Sequence, residues 1–199
     1  MIYRVIKFVI SIDIGLDGGI CCRDLENKKQ SIHSMPVKKI QLKNGKQKRE
    51  VDFEQLYKLL LFFKNKGAVV IFEKLQGIFG VSKKSACSLM EQYGHLKAFC
   101  IALGLEAVSV YPKQWQSVIF KQIENVKRKG KAGKDKSIIV NDTKAMASIA
   151  WKKYFKKNLP TGPRGRVLDG CVDAALIGLY YRACMLNRSE EHTSDSSHA

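Results

Sequence analysis

Apolar residues recur along this chain with two different periods, and the switches between them sketch its elements. Residues 6–14 (IKFVISIDI) are dense in Ile and Val, the composition of a strand buried on both faces. Gly15, Gly18 and Gly19 punctuate a turn, and residues 20–25 return as a second strand. Residues 30–41 predict a third extended segment, and Asn44-Gly45 is a hairpin signal between basic flanks. The period then lengthens. Phe53, Leu56, Leu59, Leu60 and Phe63 mark one face of a helix that Asp52 caps and Gly67 closes. Residues 68–73 (AVVIFE) form a fourth buried strand ending in an acid, followed by a loop with Gly77 and Gly80. Ser82 caps a long helix to about Leu103, which Gly104 stops. Residues 106–110 are a short fifth strand, Pro112 opens a short helix through Trp115, and residues 121–137 read as a basic loop. Asp142 caps a helix to about Tyr154. Pro160, Gly162, Pro163 and Gly165 make a linker, and a last helix covers about Leu168 to Met185.

Three leading strands followed by alternating helices and strands predict an α/β fold, a mixed five-stranded sheet with helices on both faces. No internal repeat is visible. With 199 residues, 45% hydrophobic and 27% charged, the chain is long enough for one domain with a real core, and wholesale disorder is excluded. That domain is expected over residues 1–187. Arg188–Ser194 reads RSEEHTS, like the translation of a common sequencing adapter, so residues 188–199 are set aside as a disordered or artefactual tail.

The apolar stretch at 56–63 is short and holds Lys58, and that at 171–186 holds Asp173 and Arg182, so neither predicts a membrane span. The first residues read as a strand, without the small-residue cleavage site of a signal peptide. Six cysteines (Cys21, Cys22, Cys87, Cys100, Cys171 and Cys184) form no C-x-x-C pair, and five lie in apolar runs. Buried free thiols in a reducing compartment are the better reading than zinc ligands. A cytoplasmic location, in a bacterial or phage-infected cell, is expected, and secretion is not.

Charge changes the picture most. The chain has 35 Lys and Arg against 18 Asp and Glu, a net +17. So large an imbalance implies a polyanionic partner, nucleic acid first and an anionic membrane surface second. Residues 121–157 alone hold twelve cations and three acids. Lys127, Arg128, Lys129, Lys131 and Lys134 sit there in a Gly-containing stretch able to adapt to a phosphate backbone. Lys83 and Lys84 follow the Glu73 strand near the expected active face, Lys144 at a helix start is a candidate phosphate contact, and Phe79 is a candidate to stack on an unpaired base. A solvated basic face, and for Phe79 a core anchor, are the ordinary alternatives. The basic hairpin (Lys43, Lys46, Lys48, Arg49) is either a second contact or a charge-protected edge.

Four acids stand where acids are unwelcome. Asp13 and Glu73 end apolar strands. Asp169 and Asp173, four apart, share one face of an otherwise apolar helix. Each has an ordinary role open to it: turn residue for Asp13, strand end for Glu73, helix N-cap for Asp169. Asp17 reads as a turn residue. Buried carboxylates need cations, and oxygen ligands from strands and a helix suit Mg²⁺, with Mn²⁺ able to substitute. Two such ions would activate a water and stabilise the leaving oxygen of a phosphodiester, and the positive surface would draw that substrate in.

SIDIGLDGGI (11–20), VVIFEKLQ (69–76), VYPKQWQ (110–116), DTKAMASIAWKKYF (142–155) and LDGCVDAALIGLYY (168–181) together resemble the RuvC-like Holliday-junction resolvases, especially phage-type members, of the RNase H-like superfamily. The resemblance implies an RNase H-like sheet in the order 3-2-1-4-5. It also implies that Asp13, Glu73, Asp169 and Asp173 bind two divalent ions and carry catalysis, and that a homodimer nicks two strands of a four-way junction. Leu168 departs from the His that phage-type members often have there, and a three-residue spacing of the last ligands would fall on Gly170, leaving Asp169 as the candidate. The expected function is a structure-selective endodeoxyribonuclease leaving 5′-phosphate and 3′-hydroxyl ends, with no nucleotide cofactor and no membrane partner. The alternatives are a non-catalytic branched-DNA-binding protein on the same fold, a nuclease for other branched DNA and, more remotely, an actin-like ATPase or sugar kinase using the Asp13–Gly19 turn.

Overall fold

The computed structural model describes residues 5–75, 82–131 and 137–186. The Ile/Val run becomes β1 (Phe8–Asp13), the middle strand of a five-stranded sheet, because both its faces are apolar and both are covered. β2 (Gly19–Asp24) and β3 (Gln30–Ser34) pair with it in antiparallel succession. On its other side β6 (Ala68–Glu73) and β7 (Glu106–Val110) run parallel to it, giving the order β3-β2-β1-β6-β7. This is the mixed sheet that the sequence predicts.

Alternation along β1 and β6 splits the core in two. Val9, Val69 and Ile71 pack with α3 (Pro112–Ile119), α4 (Thr143–Phe155) and α5 (Asp169–Tyr181). Ile10, Ile12, Val70 and Phe72 face α1 (Phe53–Phe63) and α2 (Lys83–Leu103). Each such side chain withdrawn from water contributes roughly 1.5–3 kcal/mol. α5 is apolar nearly all round because it is buried nearly all round, lying directly on β1 and β2.

The caps form as predicted. The side chains of Asp52, Ser82 and Asp142 accept from the backbone N–H of Gln55, Ser85 and Ala145, and Gly104 ends α2 at φ +63°.

Other boundaries differ. Lys64, not Gly67, caps α1; Gly67 instead accepts from the N–H groups of Lys7 and Phe8 at the mouth of β6. The extended segment at 30–41 is two strands. Pro36 offers no N–H, Met35 is buried at the corner, and β4 (Val37–Gln41) turns away to pair with β5 (Gln47–Val51) in a separate ribbon. The basic stretch at 121–137 is not a loop. β8 (Lys127–Lys131) pairs with β9 (Ser137–Asn141); repeated cations hide the strand signal that Ile138, Ile139 and Val140 carry. α3 runs a turn past Trp115, and α5 gives way at Arg182 to a π-helical turn. All six cysteines are free, but Cys87 is exposed rather than buried. No helix among the described residues is long and apolar enough to cross a membrane. Residues 188–199 and Phe79 lie outside the described residues, as does Lys134.

Candidate active site

Strand parity brings the first two acids together. Val9, Ser11 and Asp13 point to one side of β1, and Val69, Ile71 and Glu73 to the same side of β6, the side that α5 covers. The parallel register pairs Ile12 with Phe72, so Asp13 and Glu73 end neighbouring strands at the same edge.

Glycine brings α5 to that edge. Gly18 in the β1–β2 turn and Gly170 in the first turn of α5 form a backbone bridge. A Cβ on Gly170 would overlap the Asp17 carbonyl and Gly18 Cα, and one on Gly19 would stand 2.5 Å from the Gly170 carbonyl oxygen. Two turns on, a Cβ at Gly178 would come within 2.5 Å of Ser11 Oγ, with Ala174 fully buried between. The stripe Gly170, Ala174, Gly178 thus seats α5 on the sheet and carries Asp169 and Asp173 to the strand ends. Leu168 is the N-cap residue and caps with no side chain, so Asp169 is not used as a cap.

The acids feel one another. Burial, then the charges of Asp173 and Glu73, hold the Asp13 carboxyl well above the usual range. Burial, Glu73 and Asp169 push Asp173 up to about 7. Burial raises Glu73, opposed by a hydrogen bond that Trp115 Nε1 donates to its Oε2 at 2.8 Å. Lys144 is the cation that lowers both Asp13 and Asp173, and its Nζ donates to Asp169 Oδ2 at 2.7 Å.

Asp13, Asp169 and Asp173 line a cleft of about 460 Å³ together with Asp17, Arg49, Lys144 and Arg166. Arg128, Lys144 and Asp169 share a second cleft beside it, at the start of α4. The acidic floor is therefore rimmed by four cations from four separate segments.

This donor set fits a hard divalent cation in kind: carboxylate oxygens, partly withdrawn from water, repelling one another with too few cations among them. As the side chains stand they are not closed into a cage. Among the described residues no three acidic, His or Cys groups are gathered tightly enough to hold an ion. Asp169 is turned to Lys144 and Glu73 to Trp115. An ion here would draw these oxygens inward, with Asp13, Asp173, Glu73 and Asp169 as its ligands.

Of the other cations named from the sequence, Lys144 and Arg128 line these clefts. Lys83 and Lys84 open α2, exposed. Lys127, Arg128 and Lys129 are on β8, at the surface, and Lys131 ends it. Asp17 is a turn residue, ion-paired to Arg49 at 3.1 Å. Sequence reasoning missed Trp115 as the holder of Glu73, because a fully buried Trp reads as core filling. It missed Arg166, which the turn Gly162–Arg166 presents to the floor. The P-R-G-R turn was the available signal.

No protein-family model matches the sequence, and no curated protein matches it. Among solved structures, T. thermophilus RuvC in complex with Holliday junction substrate matches with a TM-score of 0.52 at 11% identity, covering 89% of this chain and 96% of that chain. The fold is RuvC-like. A second Thermus thermophilus RuvC structure aligns at TM-score 0.46 and 12% identity, over 88% of this chain and 95% of that one. Within the RuvC-like fold, the five-stranded sheet and the helix laid across it put the four carboxylates at one edge of the sheet.

Proposed function

We propose that this chain is a metal-dependent endonuclease for branched DNA, with the four-way junction as its substrate. The observation that carries the reading is geometric: Asp13 and Glu73 end neighbouring strands at one edge of the sheet, and α5 brings Asp169 and Asp173 to the same edge, where Asp13, Asp169 and Asp173 line a cleft rimmed by Arg49, Lys144 and Arg166. Folding gathers these charges against their own repulsion, which makes sense for a site that receives positive charge.

When bound by Asp13, Glu73, Asp169 and Asp173, two Mg²⁺ or Mn²⁺ ions supply Lewis acidity for in-line attack of water on the phosphodiester, leaving 5′-phosphate and 3′-hydroxyl ends. The protein's own groups do the positioning. Trp115 fixes the rotamer of Glu73 through its indole N–H. Lys144 compensates the floor from the α4 side and, released from Asp169, is poised to take a phosphate oxygen. Arg128, Lys127, Lys129 and Arg166 attract the backbone across the rim. Two copies would let two strands be cut. The stripe Met90, Gly94, Ala98 and Ile101 on α2, with exposed Cys87 before it, supports pairing of this chain with itself.

The Lys144–Asp169 ion pair favours a second reading, a junction-binding protein that does not cut. One assay separates the two. Four-way junction, replication fork, flap and linear duplex are incubated with Mg²⁺ and either wild-type protein or Asp13→Asn. Wild type is expected to nick the junction in preference, and Asp13→Asn to lose at least about a thousandfold in rate while still binding. Full activity of Asp13→Asn rules out this site, and binding without nicking by wild type selects the second reading.

A further inference from the structure

The β4–β5 ribbon is the strangest element of the fold. It holds six Lys and Arg against one Glu over residues 37–51, and nearly every side chain between Val37 and Arg49 is exposed. A two-stranded ribbon without a covered face has little reason to persist alone. Its register explains what it presents. Cross-strand partners share a face, so Val37/Val51, Lys39/Arg49 and Gln41/Gln47 lie on one side, and Lys38/Glu50 and Ile40/Lys48 on the other.

The two sides differ in charge balance. On the second, Lys48 is ion-paired to Glu50 at 2.6 Å. On the first, Lys39 stands directly opposite Arg49, two like charges across a ladder, and the ribbon places no acid on that side. That side faces the acidic floor, since Val37 and Arg49 both line its cleft. Arg49 also fastens the ribbon there, donating from Nη1 to Asp17 Oδ1 at 3.1 Å and from Nη2 to the Leu16 carbonyl at 3.0 Å. The root of the ribbon is thus fixed to the same turn that carries Asp13 to Gly18. Its tip, with Lys43 and Lys46, projects outward. Five residues of strand extend roughly 17 Å, about five base pairs of duplex.

We infer that the β4–β5 ribbon is a duplex-binding arm whose floor-facing cations, Arg49 and Lys39, together with Lys43 and Lys46 at its tip, hold successive backbone phosphates of the DNA arm leading into the cleft. The inference rests on the nuclease reading for its orientation and extends it to a surface that reading does not use. A β-ribbon has the width of a major groove, and Lys39, facing an Arg49 that Asp17 already holds, shares its side of the ribbon with no acid and is placed to take a phosphate.

The test is equilibrium binding in EDTA, so that cutting does not intervene, as a function of salt. It compares wild type, K39Q/K43Q/K46Q and the β8 variant K127Q/R128Q/K129Q on a four-way junction, a linear duplex and a single strand. The substituted ribbon side chains are exposed, and unchanged melting confirms intact folding. Every phosphate that a variant no longer neutralises flattens the slope of log affinity against log salt by about 0.9 on duplex. The ribbon variant is expected to flatten it by roughly 2 to 3 on junction and linear duplex, with at least about a tenfold weaker affinity at low salt, and to bind the single strand as wild type does. An unchanged slope for the ribbon variant beside a flattened slope for the β8 variant overturns the ribbon as a DNA arm and leaves the nuclease reading standing. Unchanged slopes for both variants overturn the ribbon as a DNA arm together with the assignment of β8 to the phosphate backbone. Equal weakening on single strand and duplex overturns the assignment to duplex.

Discussion

The acidic floor and the two basic hairpins are built on opposite principles. The floor hangs on β1, β6 and α5, whose apolar residues are almost completely withdrawn from water, and it is closed by backbone contacts that admit no side chain at Gly170 or Gly19. The ribbons β4–β5 and β8–β9 each pair only within themselves and carry much of the positive charge. The contrast follows from what each must hold. Repelling carboxylates stay close only if the surrounding packing overrules their repulsion, whereas cations at the surface stand in water and need no such packing. Rigidity and charge of one sign are concentrated in the core; adaptability and charge of the other sign are pushed to the edge.

This contrast can be broken most directly at Gly170. Gly170→Ala forces a methyl into the Asp17 carbonyl and is expected to cost about 3 kcal/mol, or roughly 6–12 °C in Tm. Lys46→Ala at the ribbon tip should stay within about 0.5 kcal/mol of wild type. Thermal melts of both, side by side, check the claim, and equal melting of the two would erase the distinction.

A smaller effect sharpens the electrostatic half. The folded-state pKa of Asp173, about 7, lies above its ordinary value of 3.8. Between those values the folded protein keeps a proton that the unfolded chain releases, so metal-free stability falls as pH rises through about 4 to 7 and the full penalty stands above that window. Asp173→Asn cannot ionise. In EDTA at pH 8 it is expected to melt roughly 5 °C or more above wild type, and to depend less on pH, with a residual slope from Asp13 and Glu73. A variant less stable than wild type at pH 8 would mean that the floor is not under charge strain.

The smallest effect concerns Trp115→Phe, which keeps an aromatic ring and deletes the donor to Glu73. Calorimetric titration with Mn²⁺ is expected to show about tenfold weaker affinity. Unchanged affinity would reduce Trp115 to core filling.

Much of this was legible from residue order because the relevant rules are local. An acid ending an apolar strand, as at Asp13 and Glu73, and two acids one helical turn apart, as at Asp169 and Asp173, are visible at short range, as are the caps at Asp52, Ser82 and Asp142. What stayed hidden depends on distant partners. Trp115 meets Glu73 across 42 positions, and nothing near either residue announces it. Gly170 reads as a weak spot in a helix until the turn at Gly18 is laid against it. Arg49 and Arg166 become part of the floor only once the ribbon and the 162–166 turn fold over it. The strand at Lys127–Lys131 was masked by its own charge.

The Gly18–Gly170 bridge joins positions far apart in the polypeptide. Synthesis therefore delivers Asp13 and Glu73 early, and Asp169 and Asp173 only after α2, α3 and α4 have already left the ribosome. A chain terminated before α5 owns half of the acidic set and no helix to complete it. The acidic site is therefore completed only by the last helix to be made.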